Sequence, residues 1–261
     1  MFLRSSVISL DAFLRHLKRH VKDGHNIVFF LGAGCSRAAG IPICSELMDI
    51  WEEQGIDRGS FDTMMRQRYP SIASRNEAFW KICAGKVPTA GHMILANLFA
   101  EYPRQIRMCI TTNVDHLVGT AITNRIAQSG SNLHYRMNSR HNATELRSHV
   151  NAGAFCEVKL HGDMTDTSTM TQCSLPESLV DVMRDVLYAP TMFVFIGYGG
   201  NDVNVSDWLR AVNKNGSLNN GAVYWCSQNE PNGILSPWLR KVNYTRVNGT
   251  DFDQVMTAIG I

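Results

Sequence analysis

Ile27 to Leu31 form an apolar run with no polar alternation. Such a run suits a central strand of a parallel sheet that is buried on both faces. Similar strand patterns recur at Arg107–Thr111, Glu157–Leu160, Met192–Ile196, Ala222–Cys226 and Val242–Val247. Helical periodicity fills most of the intervals between them. This alternation predicts an α/β chain built on a doubly wound, Rossmann-like parallel sheet. Near the start, Leu10, Phe13, Leu14, Leu17 and Val21 share one helical face, and Arg15, Lys18, Arg19 and Lys22 lie opposite. The pattern is that of a helix docked on the sheet with its basic side in water.

Two stretches depart from the alternation. Residues 45–87 contain no good strand and read as a helical insert, with Ser45 placed to cap a helix and Met48 and Trp51 turned inward. Residues 129–153 are rich in Ser, Asn, His and Arg and read as a polar loop or lid excursion. Neither internal repeats nor low-complexity tracts interrupt the chain.

Glycines punctuate the first strand. Gly32-Ala33-Gly34 follows Leu31 at once. Such a turn brings backbone close to a phosphate, and a helix starting there would aim free N–H groups at it. The bland alternative is a strand–turn–helix without a ligand. A dehydrogenase fingerprint would need a third glycine where Arg37 stands, and no Walker P-loop spacing occurs. Asn113, Asp115 and His161 fall just beyond predicted strand ends, the edge at which open α/β sheets bind ligands. A buried, satisfied histidine is the plain alternative for His161; the glycine beside it leaves room for a ligand.

Taken in order, these motifs carry a resemblance. G-A-G-x-S-x-x-x-G-I-P over Gly32–Pro42 resembles the opening signature of the sirtuin (SIR2) family. Pro88-Thr89-Ala90-Gly91-His92-Met93-Ile94-Leu95 is similar to the helix after the family's helical module. Thr111-Thr112-Asn113-Val114-Asp115 resembles the T-x-N-x-D loop, and Lys159-Leu160-His161-Gly162 the strand end with the catalytic histidine. Gly197-Tyr198-Gly199-Gly200-Asn201-Asp202 resembles the later glycine turn, in a form nearer to SIR2-like proteins of bacterial anti-phage defence.

The resemblance implies one SIR2-like domain over residues 1–261 and NAD+ as substrate. It implies Asn113, His161 and Asp115 as catalytic residues. For nucleotide binding it implies Gly32, Ala33, Gly34, Ser36, Ile41, Pro42, Thr112, Gly197, Tyr198 and Asp202, with Ser36 a phosphate donor. Deacylases continue G-I-P with D-F-R, whereas Ile43-Cys44-Ser45 stands here. No F-G-E strand for an acyl-lysine peptide is evident. These departures imply water as acceptor, and hence an NAD+ hydrolase that releases nicotinamide and ADP-ribose, in a regulated defence role. A divergent NAD-dependent protein deacylase and a non-catalytic NAD- or ADP-ribose-binding subunit remain alternatives.

Composition narrows the partners. There are 25 Lys and Arg against 23 Asp and Glu, a net charge of +2 that implies no nucleic-acid partner. No apolar run is long enough for a membrane helix, and the N-terminus lacks a signal-peptide core. The seven cysteines, at 35, 44, 83, 109, 156, 173 and 226, form no C-x-x-C pair. A zinc ribbon is therefore not expected, and reduced thiols in the cytoplasm are. A constitutive NAD+ hydrolase would drain its own cell. Self-assembly into an oligomer, or a partner protein such as an ATPase or sensor subunit, is the expected control.

Overall fold

The computed structural model describes residues 6–260 apart from 131, 169, 171–174, 188–189, 217, 219–220, 228, 232 and 249–250. Its strands are β1 (Ser6–Ile8), β2 (Asn26–Leu31), β3 (Met108–Thr111), β4 (Tyr135–Ser139), β5 (Phe155–Lys159), β6 (Thr191–Ile196), β7 (Ala222–Cys226) and β8 (Thr245–Val247). The helices are α1 (Leu10–Lys22), α2 (Cys44–Glu53), α3 (Phe61–Arg68), α4 (Ile72–Cys83), α5 (Ala90–Glu101), α6 (Leu117–Ser129), α7 (Ala143–Asn151), α8 (Glu177–Val186), α9 (Val203–Val212), α10 (Ser236–Lys241) and α11 (Phe252–Ile259).

The strands pair into one parallel eight-stranded sheet in the order β1-β8-β7-β6-β2-β3-β5-β4. The chain leaves β2 toward β3, runs out past β5 to β4 and back, and then crosses to β6 on the far side of β2. The order therefore reverses between β2 and β6, and a crevice opens there at the C-terminal strand ends.

Alternate residues of the central strands feed two cores. Val28 and Phe30 of β2 face a layer with Leu146 of α7, Met183 of α8 and Trp208 and Leu209 of α9. Ile27, Phe29 and Leu31 face Phe13 and Leu17 of α1, Leu95 and Phe99 of α5, Ile122 of α6 and Met256 of α11. Burial on both faces accounts for the unbroken apolar run. Helix α1 docks through Phe13, whose ring meets Tyr224 edge-on at 5.2 Å, and it leaves Arg15, Lys18, Arg19 and Lys22 exposed.

Between residues 44 and 83 the helices α2, α3 and α4, joined by short connections, close a third core around Leu47, Trp51, Met64, Met65 and Phe79. Val114 and Met164, from loops after β3 and β5, enter that core and tie it to the sheet.

Three expectations need correcting. Ser45 does not cap α2, which starts at Cys44 with Ile43 at its N-cap. Residues 129–153 are not a loop excursion: they supply edge strand β4 and helix α7. Helix α7 packs Ala143 and Leu146 into the core, but much of what holds the segment is polar, which hid it. Tyr135 donates to Glu157, His149 Nδ1 lies 2.8 Å from Asn138 Oδ1, and the buried Arg140 donates to the Leu160 carbonyl. The strand foreseen at Val242–Val247 begins only at Thr245. Val242 closes α10 with an N–H donated to Trp238, and Asn243 turns the chain at φ 57°.

The P-T-A-G-H segment has a packing role. His92 is buried, and its Nδ1 lies 2.9 Å from Thr89 Oγ1. Thr89 Oγ1 and the Gly91 N–H both donate to Asp253 of α11, at 2.7 and 2.6 Å. A Cβ on Gly91 would stand 2.6 Å from both Asp253 Oδ1 and the Phe252 ring. Gly91→Ala should therefore lower stability by about 1–3 kcal/mol, the usual cost of overpacking. Chemical denaturation checks this, and an unchanged midpoint would contradict the contact.

Candidate functional site

Two glycine loops meet at the switch point. The Gly32 N–H donates to the Ile196 carbonyl at 3.0 Å, and the Gly34 N–H to the Gly197 carbonyl at 2.9 Å. A Cβ on Gly32 would lie 2.5 Å from both Gly197 O and Tyr198 Cα. Gly197 has φ +65°, and a Cβ there would lie 2.7 Å from the Cys35 N. These glycines are thus required by the approach of one loop to the other.

The expected helix start at this turn is not formed. Residues 33–35 and 37–39 make two short 3-10 turns, and α2 begins only at Cys44. The N–H groups of Gly34, Cys35 and Ser36 go to the carbonyls of Gly197, Gly32 and Ala33 rather than pointing outward. Gly40, at φ 79°, ends the second turn and sends Ile41 and Pro42 toward the insert, where Ile41 packs on its core.

Asn113 is held from several sides. Thr111 Oγ1 donates to the Leu31 carbonyl at 3.0 Å and accepts from the Asn113 N–H at 2.9 Å. Asn113 Nδ2 donates to the Gly32 carbonyl and to Ser36 Oγ, each at 3.0 Å. The buried Ser36 hydroxyl donates to Asp115 Oδ2 at 2.7 Å, and Asp115 Oδ1 accepts from the Leu117 N–H at 3.0 Å at the start of α6. Ser36, expected as a phosphate donor, is therefore turned inward. Asp115 orders the loop and the helix. Half-buried Thr112 donates its N–H to the Leu31 carbonyl at 3.3 Å.

A buried ammonium lies beneath this loop. Lys159 Nζ donates to the Asn113 carbonyl at 3.1 Å and to the Asp115 carbonyl, and sits 3.4 Å from Glu157. Burial pulls its pKa down, but the charges of Glu157, Asp115 and Asp163 outweigh that and hold it above the ordinary lysine value.

His161 and Asp202 meet across the crevice. His161 Nε2 lies 2.5 Å from Asp202 Oδ2, while Asp202 Oδ1 caps α9 by accepting from the N–H groups of Asn204 and Val205 at 2.9 and 3.2 Å. Burial pushes the Asp202 carboxyl up. The His161 hydrogen bond and charge, with those two N–H groups, outweigh it and leave the pKa below its usual value. Asp202, expected among the nucleotide-binding residues, is the partner of His161. The Tyr198 ring packs on Phe30 at 4.8 Å, turned into the core.

Among the described residues, three buried polar atoms in this cluster lack a hydrogen-bond partner: Asn113 Oδ1, His161 Nδ1 and the Tyr198 hydroxyl. Unpaired polar atoms of this kind are costly in a folded chain and suit a ligand that brings hydrogen-bonding groups.

Sequence reasoning missed three features. His116 pairs with Asp163, whose pKa burial would raise but whose bonds from His116 and Thr165 hold it well below the usual range. Arg140 is buried near enough to Asp202 to feel its charge. Asn76 of α4 donates to the Thr165 carbonyl and accepts from the Thr167 N–H, both at 2.9 Å, and so fastens the insert to the loop after His161. In each case the partners lie on different elements, so no local motif announces them. A cavity of about 220 Å3 beside Asn26, Gln105 and Arg107 opens at the opposite edge of the sheet.

Cys35, Cys83, Cys109, Cys156 and Cys226 are buried free thiols, Cys44 is an exposed one, and Cys173 lies outside the described residues. Among the described residues, no three His, Cys, Asp or Glu side chains are grouped to hold a metal. No helix among them is long and apolar enough to cross a membrane.

Known proteins share this architecture. The chain is 25% identical over 201 residues to the NAD-dependent protein deacylase of Shewanella oneidensis, a match covering 74% of this chain and 79% of that one. A Sir2 homologue mutant in complex with ADP-ribose superposes with a TM-score of 0.58 at 14% identity, over 94% of both chains. Sir2Tm bound to a propionylated peptide gives 0.56 at 13% identity, over 94% of this chain and 95% of that one. At such identities the structural likeness speaks for the fold alone. The family model for the SIR2-like domain matches residues 107–245, more than half of the sequence and including Asn113, His161 and Asp202. The chain therefore belongs to the SIR2-like domain family.

Proposed function

We propose that this protein cleaves the nicotinamide–ribose bond of NAD+ and passes the ribosyl group to water. The observation that carries the reading is the pair of buried, unpartnered polar atoms, Asn113 Oδ1 and His161 Nδ1, at the switch-point edge of a SIR2-like sheet. The leaving group is already a cationic ring and needs little acid assistance. The protein has to hold an oxocarbenium-like ribose and activate a nucleophile. Asn113, clamped through its Nδ2, presents Oδ1 to a ribose hydroxyl or to the attacking water. His161 takes that water's proton as the C–N bond breaks. The products are nicotinamide, ADP-ribose and one proton.

The residues after Pro42 support water over a peptide as acceptor. Ile43 and Cys44 stand where deacylases carry an acid and an aromatic. A second reading, NAD-dependent removal of an acyl group from lysine, is favoured by the named activity of the Shewanella relative. Incubation with NAD+, with and without an acetylated peptide, separates the two. Nicotinamide release that needs the peptide would establish the deacylase.

The form of the Gly197–Asp202 turn supports a place among defence-type SIR2-like proteins, where NAD+ depletion is useful only under control. We assign that control to self-assembly or a partner protein, with the exposed basic side of α1 as contact face. Arg15→Glu with Arg19→Glu should alter assembly, read by light scattering, while costing less than about 0.5 kcal/mol of stability, as surface changes do. A fully active monomer indifferent to both changes would remove this role.

His161→Ala should lower nicotinamide release about a hundred- to ten-thousand-fold with an unchanged circular dichroism spectrum. Activity kept within ~3-fold would take His161 out of the mechanism. Asn113→Ala should lower kcat far more than it raises KM, because the contact strengthens as ribose charge develops. An effect confined to KM would make Asn113 a binding residue.

A further inference from the structure

We infer that Asp202 is a positioning residue that locks His161 with its proton on Nε2 and so makes Nδ1 the nitrogen that accepts the proton in the reaction. The pair spans the crevice. His161 follows β5 and Asp202 follows β6, and two strands, β2 and β3, lie between those in the sheet. Sequence separation of 41 residues hides the pairing.

The tautomer follows from what each atom can do. An ionised carboxylate only accepts hydrogen bonds. Asp202 Oδ1 is engaged by two N–H groups of α9, so the carboxylate is anchored and cannot swing away without uncapping the helix. Its Oδ2, 2.5 Å from His161 Nε2, therefore requires the proton on that nitrogen. In a neutral imidazole the lone pair then resides on Nδ1. That atom is buried and has no hydrogen-bond partner among the described residues. The arrangement holds a bare base nitrogen in a closed setting and backs it with a fixed negative charge, which stabilises the imidazolium once a proton arrives. A carboxylate behind a histidine acts in this manner in hydrolytic triads.

Asp202→Asn tests the assignment. Asparagine caps a helix about as well as aspartate, so α9 should persist. The amide now faces Nε2 as a donor, and the ring must place its proton on Nδ1 to accept it. Asp202→Ser also caps α9 but is too short to hold the ring, and it guards against misfolding of the first variant. With 15N-labelled histidine, long-range 1H–15N correlation spectra report the tautomer, and His161→Ala identifies the signal. The expected result is Nε2–H in the unmodified protein, Nδ1–H in Asp202→Asn and a mixture in Asp202→Ser. On the hydrolase reading above, kcat should fall about a thousand- to ten-thousand-fold in Asp202→Asn, with KM within about threefold.

An Nδ1–H ring in the unmodified protein overturns the inference. So does a tautomer that the Asp202 variants leave unchanged, or a shifted tautomer with undiminished kcat. If the unmodified protein releases no nicotinamide, the hydrolase reading fails. The spectra then still decide whether Asp202 fixes His161.

Discussion

Two backbone loops in van der Waals contact at the switch point set the geometry on which the site rests. Gly32 and Gly34 on one side and Gly197 on the other allow no Cβ, because backbone atoms occupy the space. Backbone cannot yield as a flexible side chain can, so the loops have one relative position. Asn113 takes its place from that contact, since its amide donates to the Gly32 carbonyl. Asp202 takes its place from the same turn, five residues beyond Gly197. The two halves of the sheet thus meet above β2, and Asn113 and His161, each with an unsatisfied buried polar atom, are gathered there.

Charge beneath the loops holds the arrangement from the inside. Lys159 and Glu157 are each about 1% exposed, and moving two ions from water into a sheet is costly. The cost is offset because Lys159 also satisfies two carbonyls of the Asn113 loop and Tyr135 of the edge strand donates to Glu157. Stabilising the pair and ordering the loop are therefore one event. The residue that fixes Asn113 is two positions before His161, so the same strand end sets both.

The helical insert is coupled to these loops rather than merely attached beside them. Val114, next to Asn113, and Met164, three residues after His161, are packed into its core, and Asn76 binds the loop at Thr165 and Thr167. The His116–Asp163 pair links the loops after β3 and β5 on the same side. A movement of the insert cannot leave the site loops unaffected.

The amino-acid order alone determined the sheet's central strands and their parallel class, because strands buried on both faces must be apolar throughout and Ile27–Leu31 and Met192–Ile196 are. It also singled out Asn113 and His161, because short motifs at strand ends are local. Polar edge elements were not legible: β4 reads Tyr-Arg-Met-Asn-Ser, and its partners Glu157 and His149 lie on other elements. Nor was the use of the glycines, since Gly32 and Gly197 meet only when β2 and β6 become neighbours. The tertiary structure alone decided that Ser36 turns to Asp115 and that Asp202 turns to His161. A hydroxyl or carboxylate takes whichever donor or acceptor folding brings within reach, and sequence spacing does not specify that distance.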